Sequence, residues 1–575
     1  MSERVTTRWI DVGATSVWSP MLDGLERTLK SCRGIVRKSS RRRADDCENA
    51  AHGISLAIVA GVTTITNSMA DSSRKSVLPT QQESFGQVAL RGSAWNLAQS
   101  VLNKFLTSAA IFVIAYFLSP SEYGVGVQAL ATFSVATFLQ PLTVGDVLIA
   151  HPRRFAMLAK SASGLAMIIG CCMAVMTLVS IPIALHFYDE FPPLWLGGLL
   201  AVLSIRPILE ARLMLPLSAL RLGLAYRRMA MIDGLVQMGA TLLSVATAML
   251  GGRAASLVVP QVVAVAARGV CYHREVDRSS LDRFDTRVAG FLFRSFAKAA
   301  SAQYIHNVIV MLEVLVLGIV SGSFETGLFG FVYTIASQAN SIIAFQLGVV
   351  LQPIFGRLQD DPERQVAGFL KSQRVLSAVC VPISFAQAIL AEPLFRLLLD
   401  EKWQLAIPVF QVISVMQAFT FAAGPSMSCL RAQRRFGTFL VWQIVQFVVS
   451  CPIYWFGAKQ SGALGIAIAS ASVWAISTPL VVWLCTRSSP KAHGFESLAI
   501  FVRPWLVCVP IFCGAYPLVR LLCDHGDAGS IASLVFVGPA TALVAIWVMR
   551  WTHTDIRTTL DGVLASTAAK LRRRG

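Results

Sequence analysis

Asn96, Gln99, Asn103 and Thr107 recur at i, i+3, i+7 and i+11, a spacing that lines one stripe of a helix with amides and a hydroxyl. Lys104 adjoins the stripe. It lies about nine residues past Trp95, roughly 13 Å along a helix axis, in an otherwise apolar run. A cation that deep in a bilayer costs a few kcal/mol unless it faces water or a partner. A second polar face, Gln303, His306, Asn307 and Glu313, falls within about 120° of a helical wheel. Two readings stand for both faces: they line a wet cavity, or they bond neighbouring helices. Lone His306 is either a satisfied interhelical residue or a proton carrier. Arg206 and Glu210 are four apart and can neutralise each other, while Pro207 between them would bend the helix. Left free, the planar fork of Arg206 would suit a phosphate. Glu210 and Glu313 are the candidates for a titrating, ion-coupling group.

The elements that hold these residues are membrane helices. The chain has 575 residues, is 55% hydrophobic and only 14% charged, with a mean hydropathy of +0.61. A soluble fold of this length needs far more charge to cover its surface. Apolar runs of spanning length fall at 95–118, 125–150, 163–186, 194–214, 229–250 and 254–270. They continue at 299–321, 327–352, 375–395, 404–428, 437–457, 461–486, 503–521 and 529–549. The spacing predicts an all-α polytopic membrane protein of about fourteen helices, since lipid accepts only helices or closed barrels.

An internal repeat divides these helices. Sliding the chain by 203 positions lays Glu122 on Glu325, Gly124 on Gly327, Ser134 on Ser337 and Gly145 on Gly348. In both copies a turn precedes an apolar run with a basic exit. The same offset lays Asn103 on His306 and Lys104 on Asn307, so the two polar faces occupy corresponding places. The predicted layout is a basic tail at 1–88, a six-helix half at 89–270 and a linker at 271–298. A second six-helix half follows at 299–486, then two further helices at 487–549 and a basic amphipathic tail at 550–575. Met69 is an alternative start. The two halves are expected to be pseudo-symmetric.

Charge sets the expected orientation. Lys and Arg crowd one alternating set of loops and the C-terminal tail, whereas the opposite set holds only Arg253, Arg396, Lys402, Lys459 and Arg520. The positive-inside bias therefore places both termini in the cytoplasm. It also accounts for the net charge of +18 without nucleic acid. The outward loops are too short for an outward catalytic domain. The twelve cysteines are scattered, with no CxxC and no His pair at metal-ligand spacing. Nor is there a P-loop, GxSxG or HExxH motif. No metal, no cofactor and no enzymatic chemistry are expected, and any driving energy would come from a proton or sodium gradient.

Three stretches resemble a known family. LSPSEYG at 118–124 is similar to the turn after the first helix of polysaccharide-transport flippases, the Wzx-like members of the multidrug/oligosaccharidyl-lipid/polysaccharide exporter superfamily. LQPIFGRLQDDPER at 351–364 resembles that family's exit from helix eight. EPLFRLLLDEKWQLAIPVFQV at 392–412 resembles the segment joining helices nine and ten, with Asp400 where glycine is common. The resemblance covers about 88–487. It implies a flippase of the bacterial inner membrane that carries a lipid-linked oligosaccharide, a polyprenyl-diphosphate glycan, by alternating access. Glycosyltransferases and a polysaccharide polymerase would be its partners, and membrane lipids its surroundings. Such a cargo calls for a cation and amides in a cavity, which Lys104, Asn96, Gln99 and Asn103 offer. A drug or organic-cation exporter of the same superfamily is the alternative, followed by a membrane glycan polymerase or ligase and a non-transporting scaffold.

Overall fold

The computed structural model describes residues 103–149, 154–188, 193–223, 225–273, 286–340, 361–433, 435–487 and 494–552, with a few isolated positions besides. All of them lie in one compact unit, Phe85–Gly575. Asn96, Gln99, the tail before them and nearly all of 553–575 fall outside the described residues.

Among the described residues there are helices and no strands. In chain order they are α1 (Asn103–Phe117), α2 (Pro120–Ala136), α3 (Thr143–Ile149), α4 (Phe155–Phe187), α5 (Pro193–Leu203) and α6 (Arg206–Leu222). Next come α7 (Tyr226–Met249), α8 (Ala255–His273), the long α9 (Thr286–Asn340), α10 (Pro362–Ile389) and α11 (Ala391–Leu398). A 3-10 turn at Glu401–Trp403 leads to α12 (Ala406–Thr420), α13 (Ala423–Ala432), α14 (Phe436–Thr486), α15 (Gly494–Cys523), α16 (Asp527–Ala532) and, after a π turn, α17 (Gly538–Thr552). Nine helical segments of the described residues are long and apolar enough to cross a membrane, and α1 is a shorter apolar helix. This is a multi-pass membrane protein.

Each predicted span overlaps one of these helices, but the boundaries differ in instructive ways. The span 125–150 breaks between Ala136 and Thr143, around Pro141. The span 194–214 breaks at Ser204–Ile205, and Pro207 sits in the first turn of α6, where a missing N–H costs nothing. The gap expected at 322–326 shrinks to Gly322, whose φ of 80° reverses α9 within one residue. Likewise α14 turns at Ser461 and Gly462. A side chain disfavours such backbone angles, which is why a single glycine can serve as a hairpin.

Local signals start α2. Ser119 and Glu122 form a capping box: the Ser119 N–H donates to Glu122 Oε2 at 3.0 Å and the Glu122 N–H donates to Ser119 Oγ at 3.3 Å. The largest helix contact is between α2 and α9. At their crossing, a Cβ on Gly124 would run into the Ser323 carbonyl, and a Cβ on Gly327 into the Pro120 carbonyl. The two contacts are related by the same 203-residue offset, so the repeat meets itself as an isologous interface does. The paired glutamates behave alike as well. Glu122 reaches Arg253 in the turn before α8 at 3.2 Å, and Glu325 accepts the Ala463 N–H in the turn of α14 at 2.7 Å.

Packing follows from this crossing. A central apolar cluster joins α1, α2, α9, α12 and α14 around Trp403. Three smaller clusters lie among α2 to α8. Another holds α15 and α17 against α10, α12 and α14. The outer faces of α15, the π turn and α17 leave Leu506, Phe536 and Trp551 exposed, which in a bilayer is contact with acyl chains.

Candidate functional site

On α1, Asn103 and Lys104 are half-buried. The Lys104 ammonium has no hydrogen-bond or ion-pair partner among the described residues. An unpaired cation within an apolar helix needs water or an anionic ligand to offset its desolvation. His306 belongs to α9, with its side chain outside the described residues, and Asn307 is half-buried and engaged by a neighbour. Near them the Tyr304 hydroxyl donates to the Val135 carbonyl at 3.2 Å and its ring packs edge-on against Phe138. These contacts join α9 to α2 just before the break of the latter.

Arg206 is placed differently. Its Nε donates to Glu210 Oε1 at 2.8 Å and its Nη1 to Gln261 Oε1 at 3.1 Å. The guanidinium also lies over the Phe133 ring, 5.3 Å from its centroid. The i,i+4 pair expressed in the sequence is therefore formed, and it ties α6 to α8 and α2. Its donors serve this internal network, and Glu210 serves as the counter-charge.

Glu313 sits in a third place, between α9 and α14, and is 4% exposed. Ser470 donates to its Oε1 at 2.5 Å. No described residue forms an ion pair with it. Below Trp474 lies a cavity with about 20 Å³ of room for water, lined by Ile309, Phe439, Trp442, Trp474, Ser477 and Thr478. The Ser477 and Thr478 hydroxyls are buried and without a hydrogen-bond partner among the described residues. A carboxyl held by a neutral hydroxyl with no counter-charge can exchange a proton or hold a small cation. Glu313 and Arg206 share no hydrogen-bond partner among the described residues.

Sequence reasoning passed over the partners of these residues. Ser470 and Trp474 are four apart on one face of α14, a helical-wheel signal that could have flagged Ser470. Gln261 carries no such signal. The stretch 392–412 was legible as a family segment, but the contacts of Lys402 and Trp403 within it were not.

Helices that cross at glycines paired by the 203-residue repeat, with Lys104 on the first helix and the buried Glu313 on α9, define a multi-pass, all-helical membrane protein. The chain belongs to the polysaccharide biosynthesis protein family, whose profile matches residues 113–408, just over half of its length. It is 24% identical over 211 residues to the lipopolysaccharide biosynthesis protein WzxC of Escherichia coli strain K12, which covers 36% of this chain and 42% of that protein. The chain thus spans about two-fifths of the length of the curated relatives it matches. Its fold superposes on the lipid II flippase MurJ in an inward closed conformation with a TM-score of 0.63 at 9% identity, covering 80% of this chain and 98% of that one. An inward-facing multidrug resistance MATE transporter superposes with a TM-score of 0.55 at 11% identity, covering 70% and 100%. At such identities the likeness is one of fold.

Proposed function

We propose that the chain moves a polyprenyl-diphosphate-linked oligosaccharide across a bacterial inner membrane for surface polysaccharide synthesis, by alternating access between its two halves. The observation that carries this reading is Lys104: a cation inside the membrane, unpaired among the described residues, in a chain of the polysaccharide biosynthesis family. Family membership supports the glycan, and the lysine supports an anionic link such as a diphosphate. Asn103 beside it, with Asn96 and Gln99 on the same stripe of the sequence, offers amides to sugar hydroxyls. Fourteen crossings with both termini cytoplasmic are part of the proposal, as are glycosyltransferases and a polymerase as partners upstream and downstream.

Coupling is assigned to Glu313. It accepts a hydrogen bond from the neutral Ser470 hydroxyl and has no counter-charge among the described residues. A proton or sodium gradient acting there would bias one conformation over the other. Glu210 is less suited, because its carboxylate is already engaged by Arg206 in an ion pair. The MATE-like fold keeps a second reading in view, an exporter of small organic cations. Lys104 opposes it by charge.

The test is replacement of Lys104. Lys104→Ala removes a charge-assisted contact of about 1.5–3 kcal/mol, so lipid-linked glycan should accumulate in the inner leaflet while the protein remains at normal abundance. Lys104→Arg should keep part of the flux, since charge persists while geometry changes. Normal flux in Lys104→Ala at normal abundance would leave Lys104 a packing residue and remove the basis of the reading.

A further inference from the structure

The outer end of α1 is closed by residues far along the chain. A helix leaves its last carbonyls without intrahelical partners. At α1 the Ala115 carbonyl accepts from Trp403 Nε1 at 2.9 Å and the Tyr116 carbonyl accepts from Lys402 Nζ at 2.8 Å. Lys402 also brings a positive charge to the negative end of the helix, and Asp400 holds its ammonium from the other side at 3.4 Å. Both donors come from the second half of the repeat. Trp403 is fully buried, with its ring 4.3 Å from that of Phe331 and edge-on to Tyr123 at 6.0 Å. Tyr123 belongs to α2 and Phe331 to α9, so the indole fills the seam where the halves meet beside Gly124 and Gly327.

All of these contacts lie at one end of the bundle. The turns holding Ser119, Arg253, Gly322, Lys402 and Ser461 touch one another there, through Glu122 to Arg253, Glu325 to Ala463 and Lys402 to Tyr116. It is the end that carries few basic residues. Lys402 keeps a third of its side chain exposed at the rim, and Tyr116 is exposed beside it. Burial of the ring makes the closure firm, and the two hydrogen bonds give it a direction. A helix whose terminal carbonyls are satisfied from the opposite half cannot tilt away without leaving those carbonyls unpaired.

We propose that the Lys402–Trp403 turn is a latch: it holds the outer end of α1, the helix that carries Lys104, to the second half, and its release opens the cavity to the basic-poor face. The inference rests on the alternating-access reading above but not on the identity of the cargo. Lys402 and Trp403 act by positioning α1 and touch no cargo.

The test reads conformation rather than transport, so its failure is separable from failure of the glycan assignment. Asn103→Cys in the full chain, in membrane vesicles of one orientation, is labelled by a membrane-impermeant maleimide from the basic-poor face. Labelling of the chain without the added cysteine is subtracted. Trp403→Phe keeps an aromatic ring but removes the N–H and part of the buried indole, and labelling should rise on the order of fivefold or more, the factor one net hydrogen bond makes. Lys402→Met should raise it as well, and Lys402→Arg, which restores a donor and charge, should return it to the parent level. Membrane abundance is followed in each. Labelling unchanged in both Trp403→Phe and Lys402→Met at normal abundance overturns the latch, and so does a rise in Lys402→Arg equal to that in Lys402→Met.

Discussion

Gly124 and Gly327 show how the absence of a side chain fixes a helix crossing. A methyl on either would meet backbone carbonyl, which cannot swing aside as a flexible side chain can. Gly124→Val should therefore destabilise the protein by about 1–3 kcal/mol or more, seen as loss of monodisperse protein in detergent and a lower melting midpoint. Ser134→Ala, at another repeat-paired position, should be nearly neutral, because its hydroxyl bonds only its own Leu130 carbonyl. Equal effects of the two would mean the close crossing is not what limits stability. Ionisable residues in apolar runs were legible from sequence alone, so Lys104, Arg206 and Glu313 stood out. Their partners were not, because Ser470 is 157 positions from Glu313 and Gln261 is 55 from Arg206. Only the fold closes such separations. For Glu313 the expected outcome is specific. Glu313→Gln keeps an acceptor for Ser470 but cannot titrate, so vesicle transport should persist while its response to an imposed pH or sodium gradient disappears. A gradient response equal to the parent's would assign coupling elsewhere.

At the scale of the helix, each predicted span overlaps a described helix, but hydropathy missed most of the breaks. A sliding apolar count is blind to such short reversals, so the Gly322 turn was read as a longer gap than it is and the turn at Ser461 and Gly462 was placed a few residues early. It is equally blind to interruptions inside an apolar run. The break at 137–142 falls inside an apolar run, and only Pro141 hints at it. Pro207 was the break the sequence did announce. Ser323, at the expected outward turn, is in fact buried against Gly124, because the repeat crossing takes place there. The exposed turn residue Ser461 is the better reporter of that face, with Gly437 for the other. In whole cells, Ser461→Cys should react with an impermeant maleimide and Gly437→Cys only after permeabilisation. The reverse pattern would invert the topology, and with it the direction assigned to the latch.

For the whole molecule, the two-half design read from the 203-residue repeat reappears as matched contacts. Pro120 meets Gly327 as Ser323 meets Gly124, and the paired glutamates each hold the turn before their half's last helix. The fold alone is shared by proteins named for lipid II and for multidrug resistance, so the cargo turns on side chains. The most direct measurement places the purified full chain in liposomes with a polyprenyl-diphosphate oligosaccharide in one leaflet, and follows its appearance in the other with a glycan-modifying reagent that cannot cross. The account predicts protein-dependent crossing that falls at least tenfold in Lys104→Ala, with no uptake of a small organic cation by the same vesicles. Crossing no faster than in empty liposomes, or accumulation of the organic cation instead, would contradict it.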